Sequence, residues 1–116
     1  MPLHPQVEAR VASILGQGAV MVIPTAPEPA PRRGLPGADL EDFRRRALSL
    51  TCVAGLCGLP QVSIPAASVP EEAEGAWLPV GLSLVGPKGS DEALLRAAVD
   101  VAAALSRAGE GAQQGA

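Results

Sequence analysis

Leu50-Thr51-Cys52-Val53-Ala54-Gly55-Leu56-Cys57-Gly58-Leu59-Pro60-Gln61-Val62-Ser63-Ile64-Pro65 decides the fold class. The stretch reads as the end of a buried helix, a hard stop and a core strand. Apolar residues fill nearly every position of 48–56, leaving no solvent face, and a helix apolar all round is one surrounded by protein. Gly58 supplies the left-handed residue that ends a helix. Leu59 folds back as the hydrophobic contact after it, and Pro60 forbids continuation. Residues 61–64 then switch to β-rich alternation, and Pro65 is expected to end the strand.

Upstream, residues 7–15 predict a short helix with Val7, Val11, Ile14 and Leu15 on one face. The apolar run 19–23, bounded by glycine and proline, predicts a strand buried on both faces. Pro24-Thr25-Ala26-Pro27 opens an irregular connection that carries Arg32 and Arg33, read as a solvated pair. Asp39 is the expected cap of the next helix. Glu41 and Asp42 precede Arg45 and Arg46 by four, so the basic triplet 44–46 reads as an ion-paired outer turn. Strand 20–23, this helix and strand 62–64 predict a right-handed parallel βαβ unit.

Downstream, residues 65–77 predict an irregular connection whose Glu71, Glu72 and Glu74 read as solvated carboxylates, not a metal site. Residues 78–85 predict a strand returning antiparallel beside 62–64. Ser90 caps a last helix with a stripe of Leu94, Ala98, Val101 and Leu105, widened by Leu95, Val99 and Ala102. Residues 1–107 form the expected domain unit, and the small, polar, glycine-rich 108–116 reads as a disordered tail.

The 116 residues suit one small domain. Hydrophobic residues make up 47% and mean hydropathy is +0.24, yet aromatic content is 2%, from Phe43 and Trp77 alone. So few large rings in so small a domain imply apolar faces that expect partners outside the chain. A net charge of −3 argues against nucleic-acid binding through phosphates. No apolar stretch is long enough to span a bilayer, and the N-terminus lacks a signal-peptide pattern, so a cytoplasmic location is expected. Cys52 and Cys57 are too few for a zinc site, and their spacing in one helix is poor for a disulfide. Both are expected to be small core residues.

Gly58-Leu59-Pro60, a short strand closing in Ile64-Pro65, a loop, and then Leu78-Pro79-Val80-Gly81-Leu82-Ser83-Leu84-Val85-Gly86 resemble the C-terminal part of the amidase signature family. The strand ending in Pro24-Thr25-Ala26-Pro27 adds a third matching piece, and the resemblance covers residues 7–105. Gly55 and Gln61 stand where family members often carry Asn and Ala. These variants resemble the plant-type indole-acetamide amidases and their non-catalytic relatives in chloroplast protein import. The resemblance implies an α/β partial amidase-signature fold, with a short mixed sheet (βαβ plus an antiparallel strand) covered by helices.

The family hydrolyses carboxamides to acid and ammonia without metal or organic cofactor. It uses a nucleophilic serine, a second serine held by a cis peptide, and a buried neutral lysine. A weak nucleophile needs an adjacent base and preset oxyanion donors, and lysine serves as base only when desolvated. No residue of this chain maps onto that centre. The one lysine, Lys88, falls in the turn Pro87-Lys88-Gly89, and the one histidine, His4, lies in a Pro-flanked N-terminus. The expected function is therefore that of a C-terminal amidase portion, inactive alone. Leu48 and Cys52, four apart on the buried helix, are the candidate substrate-binding wall, against the plainer reading of core packing. The alternative is a non-catalytic interaction module, self-associating or recruiting a partner chain at an exposed sheet edge.

Overall fold

The computed structural model describes residues 4–16, 18–71 and 75–114. Three helices and three strands follow one another along the chain: α1 (His4–Leu15), β1 (Met21–Pro24), α2 (Gly37–Cys57), β2 (Gln61–Pro70), β3 (Trp77–Val85) and α3 (Asp91–Gln114). The α/β class expected from the sequence holds.

β3 is the central strand, in the order β1-β3-β2. It pairs antiparallel with β1 (Met21↔Val85) and with β2 (Val62↔Leu84, Ile64↔Leu82). The antiparallel return of 78–85 beside 62–64 is as expected. β1 and β2 therefore run the same way, joined through α2, but they are not neighbours. β3 inserts between them, so both ladders are antiparallel and the expected parallel pairing is absent. The hairpin explains why. A short connection lets β3 fold directly onto β2 and occupy the edge that a parallel β1 would need.

β2 also overruns its expected end. It continues past Pro65 to Pro70, with a register shift between Pro65 and Ala67. Proline is tolerated there because β2 is an edge strand and the irregularity absorbs the missing donor. The connection after it closes through Glu71 N–H to the Ala76 carbonyl (2.7 Å) and Gly75 N–H to the Glu71 carbonyl (2.9 Å). Glu72 and Glu74 lie outside the described residues.

α3 packs on β2 and β3. Leu94 and Ala98 meet Ile64 and Leu84, with Val62, Leu82, Val101, Ala102 and Leu105 around them. Leu95 and Val99 do not widen this stripe. They are exposed, because the sheet contacts only one arc of the helix. The helix runs on to Gln114, across most of the segment expected to be a tail. Ser90 precedes it, but its hydroxyl donates to the Pro87 carbonyl (2.6 Å). Gly86 sits where a Cβ would lie 2.5 Å from Ser90 Oγ and 3.3 Å from Leu94 Cδ1, so only glycine lets β3 turn into α3 here.

A second cluster joins α1 to the end of α2: Val11, Leu15 and Cys57, with Met21, Val53 and Leu59 packed against them. Gly58 ends α2 in the left-handed conformation (φ 66°), and Leu59 N–H reaches back to the Ala54 carbonyl (2.9 Å). This is the stop read from Gly58-Leu59-Pro60. The start of α2 differs. Pro36 precedes Gly37 without a side-chain cap, and Asp39 lies in the first turn.

Apart from Ala54, the rest of α2 is not buried. Leu48 is 63% exposed, Leu56 42%, and Cys52 is exposed, whereas Cys57 is buried. No described element covers that face, so a sequence patterned for burial stands in solvent. β1 is likewise exposed on alternate residues, with Val22 at 58%, because it is an edge and not an interior strand. Among the described residues no helix is long and apolar enough to cross a membrane.

The Leu84 side chain sits in the tighter cluster and Val99 outside it. Leu84→Ala is expected to cost about 2–5 kcal/mol, and Val99→Ala less than about 0.5 kcal/mol. Urea midpoints of the two variants check this contrast.

Candidate functional site

A cleft of about 640 Å³ lies between the Pro24-Thr25-Ala26-Pro27 turn and β3. Val22 and Ile23 of β1, Phe43 of α2, Val69 of β2, and Val80 and Leu82 of β3 make its walls predominantly apolar. Its polar side chains are Thr25 and Glu28. The size is that of a small-molecule site, and apolar walls with few polar groups are the usual composition of one.

Thr25 is held from two sides. Its N–H donates to the Gly81 carbonyl (3.3 Å). Its hydroxyl lies 2.8 Å from the hydroxyl of Ser83, which lies 2.9 Å from that of Ser63. One chain of hydroxyls thus crosses from the end of β1 over β3 to β2, with Ser83 fully buried at its centre. A Cβ on Gly81 would come within 2.9 Å of Thr25 Oγ1 and 3.2 Å of Thr25 Cβ, so Gly81 makes room for the turn.

Charges fix the far side of the cleft. Arg46 of α2 donates to Glu28 (3.2 Å) and to Asp42 (2.9 Å), tying the proline-rich loop to the helix. The Glu28 hydrogen bond, followed by that of Asp42, raises the Arg46 pKa. Hydrogen bonds from Arg45 and then Arg46 hold the Asp42 carboxyl below the usual carboxylate range. Arg44 pairs with Glu41 and Arg45 with Asp42, both at 2.8 Å. The triplet is the ion-paired outer turn expected. Arg32 forms an ion pair with Glu71, linking the same loop to the end of β2.

Leu48 and Cys52 do not line this cleft. Leu48 borders a shallow charged depression with Glu41, Asp42, Arg44 and Arg45. Lys88 is exposed and paired with Glu8 (3.1 Å). His4 Nε2 donates to the Leu56 carbonyl and stands 3.8 Å from Glu8, so it anchors α1 to α2.

Residues 3–95 match the family model described as Amidase. The chain belongs to the amidase family. It is 40% identical over 93 residues to Amidase 1 of Oryza sativa subsp. japonica, covering 80% of this chain and 20% of that protein. To Amidase 1 of Arabidopsis thaliana it is 46% identical over 85 residues, 73% of this chain and 19% of that protein. It is also 34% identical over 90 residues to the chloroplastic Outer envelope protein 64 of Arabidopsis thaliana, 76% of this chain and 14% of that protein. The chain thus spans about a fifth of the length of the amidases it matches. The branch suggested by Gly55 and Gln61 is represented among these relatives.

The hydroxyl relay is not legible in the sequence. Ser63 and Ser83 each break an apolar strand at a central position, and paired strands bring such residues face to face when their register coincides. That register was the missing information.

Asp42 is exposed, and its folded-state pKa lies below its unfolded one. Its pairing therefore stabilises the fold above the unfolded pKa and is lost as pH falls through the folded value. Asp42→Asn is expected to flatten the acid limb of the stability profile while leaving its alkaline side unchanged in shape. Urea midpoints measured from neutral pH down through the carboxylate range check this.

Proposed function

We propose that this chain is the C-terminal portion of an amidase-signature hydrolase that converts a carboxamide to acid and ammonia, and that alone it is inactive. The observation that carries the reading is the match of residues 3–95 to the family together with its coverage of a fifth of the rice and Arabidopsis amidases. The chemistry of the chain agrees with inactivity. A serine nucleophile needs a base beside it. The hydroxyls of Ser63, Ser83 and Thr25 bond to one another, and the single lysine is exposed and engaged with Glu8. Such a lysine lacks the desolvated setting that a lysine base requires.

In this reading the chain supplies one apolar wall and the turn of a substrate cleft, and the nucleophile, base and oxyanion donors come from polypeptide beyond it. The exposed Leu48 and Cys52 then face that polypeptide and serve as the second part of the wall. The reaction needs no metal or organic cofactor, and the cytoplasm is the compartment we assign. A second reading is favoured by one observation, the similarity to an outer envelope protein. In it the chain is a non-catalytic module that recruits a partner at the free edge of β1.

A chimera separates the two. Residues 3–95 would replace the matched fifth of the rice Amidase 1. We expect the folded chimera to release ammonia from a primary amide, whereas the 116-residue protein alone releases none above a blank. A folded but inactive chimera favours the non-catalytic module, and turnover by the isolated protein refutes the absence of a catalytic centre. Within an active chimera, Cys52→Trp is expected to change substrate preference.

A further inference from the structure

The cleft has one hydroxyl whose direction is set from outside it. In the chain Ser63–Ser83–Thr25 each hydroxyl owns one proton, and two hydrogen bonds use two of the three. If the protons point from Ser63 towards Thr25, the Thr25 O–H is left free to donate. If they point the other way, Thr25 Oγ1 is left with acceptor capacity alone. Ser83 is fully buried, so water does not interrupt the relay, while Ser63 is exposed and either order can be completed there by solvent. Thr25 thus presents a donor or an acceptor at the same point of an otherwise apolar wall. A ligand group that offers both N–H and C=O suits such a point. A carboxylate only accepts, so it meets one of the two arrangements and not the other, and the cleft lining offers it no cation, Glu28 being the ionisable residue there.

We propose that Thr25 is the polar recognition residue of the cleft, binding the carboxamide of a neutral ligand whose apolar body lies against Phe43 and Val80, with Ser83 as its positioning residue. The choice of a carboxamide rests on the amidase reading above. Gly81 belongs to the same device, since any side chain there would push Thr25 Oγ1 aside. Discrimination of amide from acid at this point also favours loss of the product of amide hydrolysis over loss of its substrate.

The test uses the purified 116-residue protein and three probes of one shape: 1-naphthaleneacetamide, 1-naphthaleneacetic acid and 1-methylnaphthalene. Each is titrated while backbone amide shifts are followed by NMR. The expected result is saturable shifts at Thr25 and Gly81, with the acid weaker than the amide by about fivefold, the scale of one net hydrogen bond. Thr25→Val should weaken the amide by about the same factor and leave methylnaphthalene unchanged. Thr25→Ser should restore the amide preference, and Ser83→Ala should lower it. Gly81→Ala reads the same contact if Thr25→Val does not fold. Equal losses for amide and hydrocarbon in Thr25→Val, shifts confined to other surfaces, or no saturable binding would overturn the proposal. An active chimera whose cleft binds no amide sinks this inference and spares the hydrolase reading. Amide binding at Thr25 beside an inactive chimera does the reverse.

Discussion

The double pairing of β3 is the constraint on which the rest of the structure depends. Leu84 and Val85 are shielded on all sides because one ladder joins them to β1, the other to β2, and α3 closes over Leu84. Removing β3 would leave β1 and β2 with no hydrogen-bonding partner in the described chain. The hydroxyl relay, the Gly81 carbonyl that holds Thr25 and the Gly86 turn into α3 are all features of this one strand. A chain with two small clusters and one aromatic ring in its cleft is therefore organised less by a large core than by a central strand with every neighbour in register.

Much of this was legible. The stop at Gly58-Leu59-Pro60 rests on backbone sterics that act locally, so the sequence read it correctly. The inward stripe of α3 and the antiparallel hairpin follow from short-range periodicity and loop length. What could not be read was adjacency. Nothing in residues 19–23 says whether β3 or β2 will lie beside them, and the parallel expectation followed from chain order alone. Proline ends an interior strand but is accommodated by an edge strand, and the sequence around Pro65 does not say which β2 is. The relay of Thr25, Ser83 and Ser63 needed the same register information.

The exposed face of α2 is a different kind of difference. Leu48, Cys52 and Leu56 give it an apolar pattern that predicts burial. The structure leaves that face open while the sequence remains patterned for contact. The amidases that the chain matches are about five times as long as the matched stretch. The cleft differs in that its walls come from four elements within the described chain, so its shape does not depend on that contact.

The two outer strands of the sheet are chemically unlike. β2 carries Pro65 and Pro70 and a register shift on its length, while β1 is free of proline until its last residue, Pro24. A strand approaching β2 from outside meets prolines and a kink, whereas the outer edge of β1 presents the N–H and C=O groups of alternate residues, the others being engaged with β3. The two flanks of the sheet are therefore unequal: prolines and a kink interrupt the outer strand on one side, and the other has neither before its last residue.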